Sequence, residues 1–156
     1  MKYRLPLYGP LLIIALLCAL PFSVAHSDVI QIQPMGFGSF IVLDNTNEHS
    51  VVMNPEGEVT YPDEIIPTDQ TPTAAIYEVT TLPPYAPISV DVPNTVLTSD
   101  VQDNNFTLTD FDIIAPSSDK FGKSLLKIGA TLHTSGNDAG YGEYAYKGTM
   151  EITVNY

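Results

Sequence analysis

The sequence predicts an all-β protein, folded as one antiparallel sandwich or barrel. Three observations carry this. Short runs rich in Val, Ile, Thr, Tyr and Phe are punctuated by Gly, Pro, Asn and Asp. Ten of the 13 prolines lie between Pro34 and Pro116, too densely for a long helix to form there. The C-terminal part alternates apolar and polar residues with period two, as a strand with one dry face must.

The chain opens differently. Lys2 and Arg4 precede the apolar run from Leu11 to Leu20, and Pro21, Phe22 and Ser23-Val24-Ala25 follow. Basic, apolar and small residues in that order read as a signal peptide over residues 1–25, cleaved before His26. A retained membrane anchor is the competing reading, but a spanning helix needs roughly 20 apolar residues and this core has about half that. Cys18 does not suit lipid attachment, because Leu17 stands where a small residue is needed and the apolar run continues past it. It reads as a hydrophobe within the leader. The expected destination is the periplasm, the outer surface or the medium, with no stable membrane span after cleavage.

Residues 26–156 are of one-domain size. They hold no cysteine, which excludes disulfides, thiolate nucleophiles and cysteine-ligated metals there. Lys2 and Arg4 are two of the six basic residues, so this part carries four lysines against 18 acidic residues, a formal charge of −14. That balance argues against nucleic acid as a partner, since phosphate binding depends on clustered Lys and Arg. It favours cations or basic surfaces instead.

Strands are expected at residues 29–33, 39–43, 50–53, 58–61, 74–80, 88–92, 106–114, 125–133 and 144–155. Asn54-Pro55-Glu56-Gly57 forms a turn, Pro83-Pro84 breaks a strand, and residues 115–119 form a loop. In the last strand Tyr144, Tyr146, Met150, Ile152, Val154 and Tyr156 share one parity, against Lys147, Glu151 and Asn155. Leu126, Ile128, Ala130 and Leu132 alternate likewise against Lys127, Gly129, Thr131 and His133. The linker at residues 135–140 is rich in residues that tolerate positive φ, so the two long strands are expected to form a hairpin with a flexible loop.

The order of these segments resembles the bacterial exported family known as domain of unknown function 4402 (DUF4402). The resemblance rests on Phe37-Gly38-Ser39-Phe40-Ile41-Val42, Gly57-Glu58-Val59-Thr60, Ala75-Ile76-Tyr77-Glu78-Val79-Thr80 and Ile88-Ser89-Val90-Asp91-Val92-Pro93. Ile128-Gly129-Ala130-Thr131-Leu132 and the close from Gly142 to Tyr156 complete it and are its more specific parts. Leu82-Pro83-Pro84-Tyr85-Ala86-Pro87 departs from it, standing where the family often has a glycine-containing turn. The resemblance implies an immunoglobulin-like or pilin-like β-sandwich over residues 26–156, without catalytic residues. A weaker similarity runs to subunits of chaperone-assembled pili, which end in a strand with an upstream glycine and a tyrosine near the C-terminus. Gly142 and Tyr156 fit that pattern, with the tyrosine last and not penultimate. An open strand edge in such a sandwich accepts a strand from another chain. Val29-Ile30-Gln31-Ile32-Gln33 could supply one or could pair at home as the first strand.

Candidate chemistry is sparse. The histidines are His26, His49 and His133, none in a nucleophile motif or a short-range zinc-ligand pair, so neither a triad nor a zinc site is expected. A calcium loop is the better candidate. Asp100, Asp103 and Asn105 offer oxygen ligands, with Asn104 beside them and Asp110 and Asp112 following. The spacing is not that of an EF-hand, and a solvated loop explains the same residues. Asn105-Phe106-Thr107 is a glycosylation sequon by form and accidental in a bacterial chain. Nine tyrosines and no tryptophan could serve a sugar-binding surface, although parity assigns most of them to the core or its borders. The expectation is a non-enzymatic structural or adhesive module of the envelope, without a cofactor. It would self-associate, or engage a periplasmic chaperone, through an exposed strand edge. The alternative is a monomeric periplasmic binding module for calcium or a small glycan.

Overall fold

The computed structural model describes residues 27–156, so the leader assigned to residues 1–25, and His26, lie outside the described residues. Eleven strands and no helix occur among them. They are β1 (Asp28–Gln33), β2 (Phe40–Val42), β3 (Ser50–Met53), β4 (Val59–Thr60), β5 (Ile65–Pro67), β6 (Ala75–Thr80), β7 (Ser89–Asp91), β8 (Thr95–Leu97), β9 (Phe106–Ile114), β10 (Ser124–His133) and β11 (Thr153–Asn155). The fold is all-β and antiparallel, as the sequence predicts.

β10 organises the molecule. Its first half pairs with β6 (Ser124↔Val79 to Ile128↔Ala75) and its second half with β3 (Ala130↔Met53 to His133↔Ser50). β9 pairs with it from Lys127 to His133, which puts β6 and β3 end to end along the opposite edge. β1 adds to β6, β4 to β3 and β8 to β9, giving a seven-stranded curled sheet. Leu126, Ile128 and Leu132 of β10 point inward and are 0–3% exposed, each worth about 1.5–3 kcal/mol of burial. Gly129 is required by close approach. A Cβ there would lie 2.2 Å from the Met53 carbonyl oxygen, so the turn after β3 can cross β10 only over a glycine.

Two ribbons cover the inner face and complete the sandwich. β2 pairs with β5 (Ile41↔Ile66), and Phe40, Val42 and Ile65 pack on Val51, Met53, Phe106, Leu108 and Leu132. β7 pairs with β11 (Val90↔Val154), and Ile88, Val90, Met150, Ile152 and Val154 pack on Ala75, Val79, Leu126 and Ile128. Each ribbon closes one of two core clusters on a single sheet.

The strands at residues 50–53 and 106–114 fall where expected, and the break at Pro83-Pro84 is present. The expected turn also forms. Gly57, at φ 88°, donates to the Asn54 carbonyl (3.0 Å), while Asn54 Oδ1 accepts from the amides of Glu56 and Glu58.

The predicted C-terminal hairpin does not form. β10 spends both edges on β3, β6 and β9, and the tail pairs instead with β7. Of residues 144–155 only Thr153–Asn155 are strand, with one bridge, Thr98↔Lys147, ahead of them. The alternation nevertheless survives, with Met150, Ile152 and Val154 half-buried between exposed neighbours. Tyr144 departs from it, being 44% exposed. The loop at residues 135–140 also differs from expectation. It does not join paired strands, and it is cross-linked rather than loose. Buried Asn45 donates to Ser135 Oγ (3.0 Å), Asn137 Oδ1 (3.1 Å) and the Ala139 carbonyl (2.8 Å), and accepts from the Gly136 amide (3.0 Å). Buried Asn104 donates to the Ala139 and Gly140 carbonyls and accepts from Asn137 Nδ2 (2.9 Å).

Candidate interaction site: an open strand edge beside an aromatic cleft

β1 is tied down on one side only. It pairs with β6 from Asp28↔Thr80 to Gln33↔Ile76, with a bulge between Gln31 and Gln33, and it ends the sheet. None of its side chains belongs to either core cluster. Val29, Ile30 and Ile32 are 41%, 53% and 57% exposed. An apolar, uncovered edge strand presents unpaired N–H and C=O groups to any further strand.

A cleft of about 1220 Å³ opens between the segment at residues 34–42 and the tail at residues 141–150. Its floor includes Phe106, Leu108 and Leu132, from the first core cluster. Phe106 stacks on Tyr141 (centroids 4.2 Å apart) and meets Tyr146 (4.8 Å) and Phe40 (5.6 Å) edge to face. The Tyr141 hydroxyl donates to the Asn105 carbonyl (2.9 Å) and accepts from the Ser135 amide (2.7 Å). The Tyr146 hydroxyl is buried without a partner. Its burial, and then the neighbouring Tyr141 and Tyr144, push its pKa above the ordinary tyrosine value.

The histidines do more than parity suggested. On the outer face, His133 Nδ1 lies 2.9 Å from Glu48 Oε1 and 3.0 Å from Ser50 Oγ, with Nε2 2.8 Å from Thr109 Oγ1. Hydroxyl, imidazole and carboxylate stand in the order of a nucleophilic triad. The Thr109 hydroxyl, however, donates to Asp110 Oδ2 (2.8 Å), so the ring donates to Thr109, the reverse of what a nucleophile needs. The cluster clamps the chain at Glu48 to β9 and β10. His49 Nδ1 faces Glu64 at 3.4 Å, and its Nε2 is buried without a partner. Nothing in residue spacing foretold either contact, because the partners come from distant strands.

The calcium candidates Asp100, Asp103 and Asn105 are exposed, while Asn104 between them is buried and holds the loop at residues 135–140. Among the described residues no group of three or more His, Cys, Asp or Glu side chains is arranged to hold a metal ion. Asp110 and Asp112 are exposed on β9, Asp110 at a bulge with φ 46°. No helix among the described residues is long and apolar enough to cross a membrane.

The family model named "Domain of unknown function (DUF4402)" matches residues 28–156. The chain belongs to this family. Every segment that carried the resemblance lies inside the matched range, so the open edge, the cleft and both ribbons are parts of one DUF4402 domain. No curated protein and no solved structure matches the chain. The likeness to pilus subunits gains no support from these comparisons.

Proposed function

We propose that this DUF4402 domain is a non-enzymatic structural module of the bacterial envelope, exported by its leader, that self-associates by strand addition at β1. The observation that carries the reading is the open edge of β1, with Val29, Ile30 and Ile32 exposed and contributing to neither core cluster. Two such edges pairing antiparallel extend one sheet across two copies, and they satisfy main-chain groups that one copy leaves to water. A periplasmic chaperone offering a strand to the same edge is the other partner this chemistry admits.

Residues 26–156 contain no cysteine, so an introduced thiol reports the contact cleanly. Purified residues 26–156 should elute as dimers or larger assemblies, never as monomers alone, in size-exclusion chromatography with light scattering. Single cysteines at Ile30, Gln31 or Ile32 should give disulfide-linked dimers on oxidation, and a cysteine at Ser117 should not. A strictly monomeric protein at the highest soluble concentration overturns the reading.

The aromatic cleft favours a second reading, a binding module for a small glycan. Tyr141, Tyr144 and Tyr146 line it, and sugar rings stack on such faces. Calorimetry against a glycan panel tests it, and heat lost in Tyr144→Ala would place the ligand there.

A further inference from the structure

The two outward faces of the sandwich differ in charge while sharing an apolar centre. On the β2–β5 ribbon, Ile41 and Ile66 form an exposed cross-strand pair (53% and 46%), and Leu43 (62%) follows with the same parity as Ile41. Asp44, Asp63, Glu64 and Asp69 flank them, and residues 27–119 contain no lysine or arginine. Phe40, Val42 and Ile65 of the ribbon point to the core, so Ile41 and Ile66 point to solvent on that side.

The outer face of the seven-stranded sheet lies on the opposite side. Ile30, Glu78 and Leu125 form one row across β1, β6 and β10, and Ile76, Lys127 and Ile114 form the next across β6, β10 and β9. Ile30, Leu125 and Ile114 are 53%, 43% and 42% exposed. Lys123 stands at the start of the same strand, bridged to Glu78 (3.1 Å), and Lys120 lies in the adjoining loop over the exposed Phe121 ring. Asp112 shares the face. Three of the four lysines in residues 26–156 therefore gather at the β6 end of this face, where they offset most of the charge of Asp28, Glu78, Asp112 and Asp119. Glu48 and Asp110 make its other end, around His133, acidic. In a molecule of formal charge −14, the end of the face where three lysines gather is where another acidic copy meets least repulsion.

We infer that copies of this chain stack face to face, the acid-rimmed β2–β5 ribbon of one on the lysine-bearing sheet face of the next. The two patches are different and lie on opposite sides, so the contact is heterologous and repeats as an open array. It rests on the self-association reading and adds a second, independent contact to the β1 edge. Isoleucine and leucine at both centres provide the apolar area, and the charged rims fix which face meets which.

Charge reversal of the full 26–156 chain tests it. Asp63→Lys with Asp69→Lys cancels the acidic rim of the ribbon, leaving two lysines against Asp44 and Glu64. Lys120→Glu with Lys127→Glu makes the sheet face acidic. Asp63, Asp69 and Lys120 are exposed and Lys127 is half-buried, and circular dichroism confirms folding. In sedimentation velocity, each double variant alone should stop at β1-linked dimers, its half-assembly concentration raised about tenfold or more. Mixed one to one, they should co-assemble, because the unaltered lysine-bearing sheet face of the first still meets the unaltered acidic ribbon of the second. Higher assembly unchanged in both variants, or no recovery on mixing, overturns stacking and leaves the β1 reading standing. Stacking that persists while the β1 cysteines fail to cross-link removes only the β1 reading. A wild type that stops at dimers overturns stacking alone, and one monomeric throughout overturns both.

Discussion

β10 and the C-terminal tail carry the same kind of pattern and meet different fates. In β10 apolar residues alternate with polar ones, and neighbours pair along both edges until Leu126 and Ile128 are 0% exposed. In the tail Met150, Ile152 and Val154 alternate as regularly, yet three residues pair with a three-residue partner and none is fully buried. Alternation determines which side chains face inward. How deeply they sink depends on the number of flanking strands, which parity cannot report. The tail thus works as a cap over the second cluster, and β10 as the spine beneath it.

The sharpest way to break this comparison is with two glycines. Gly129→Ala drives a Cβ into the Met53 carbonyl at 2.2 Å and should cost about 3 kcal/mol or lose the fold, whereas Gly140→Ala meets nothing within 4 Å and should stay within about 0.5 kcal/mol. Urea melts of the two variants read the difference, and similar midpoints would remove the close crossing of β10 at Gly129. Next come the truncations. Ile128→Ala should cost about 2–5 kcal/mol, and Ile152→Ala in the half-buried tail about 1–2 kcal/mol. Asn45→Ala removes the buried amide that ties the loop at residues 135–140 and leaves the Gly136 amide unpaired, a loss of about 2–3 kcal/mol.

Tyr146→Phe should have the opposite sign, gaining about 1 kcal/mol at neutral pH, because its buried hydroxyl has no partner to lose. Burial raises the pKa values of Tyr61, Tyr77 and Tyr146, so the unfolded chain ionises first. The stability these groups lend is intact below the ordinary tyrosine value of about 10 and is lost as pH rises through their folded values. Urea midpoints should therefore fall above that pH, and less steeply in Tyr146→Phe. The smallest effect is at exposed Asp44. The Thr46 amide, and then its hydroxyl, hold the carboxyl below the ordinary aspartate value. Its contribution is present above that value and lost as pH falls through the folded one. An NMR titration should show the low midpoint and its partial recovery in Thr46→Ala.

Much of the architecture was legible because β-branched runs and turn residues act locally. Ser50–Met53 and Phe106–Ile114 sit where propensity put them. β5 escaped notice because Pro62 and Pro67 leave Ile65 and Ile66 too short a run to alternate, and β8 because three residues after Pro93-Asn94 carry no period. The false hairpin came from reading adjacency in sequence as pairing, where β10 prefers strands from much earlier in the chain. The β1 segment was visible as a β-prone stretch, but its uncovered edge depends on no second strand pairing with β1. The Thr109–His133–Glu48 cluster and the Asn45–Asn104–Asn137 network left no signal, since each joins side chains from distant segments.

That amide network has a consequence for how the molecule comes into being. Asn45 waits for a carbonyl 94 residues further along the chain, and β3 waits for the second half of β10. A polypeptide emerging N-terminus first cannot finish its earliest strands until almost its whole length is available. Such non-local closure makes folding slow, on the order of milliseconds to seconds for β-topologies. β1 and β6 have no such wait, since both lie in the first half of residues 26–156 and can pair while β3 still lacks its partner.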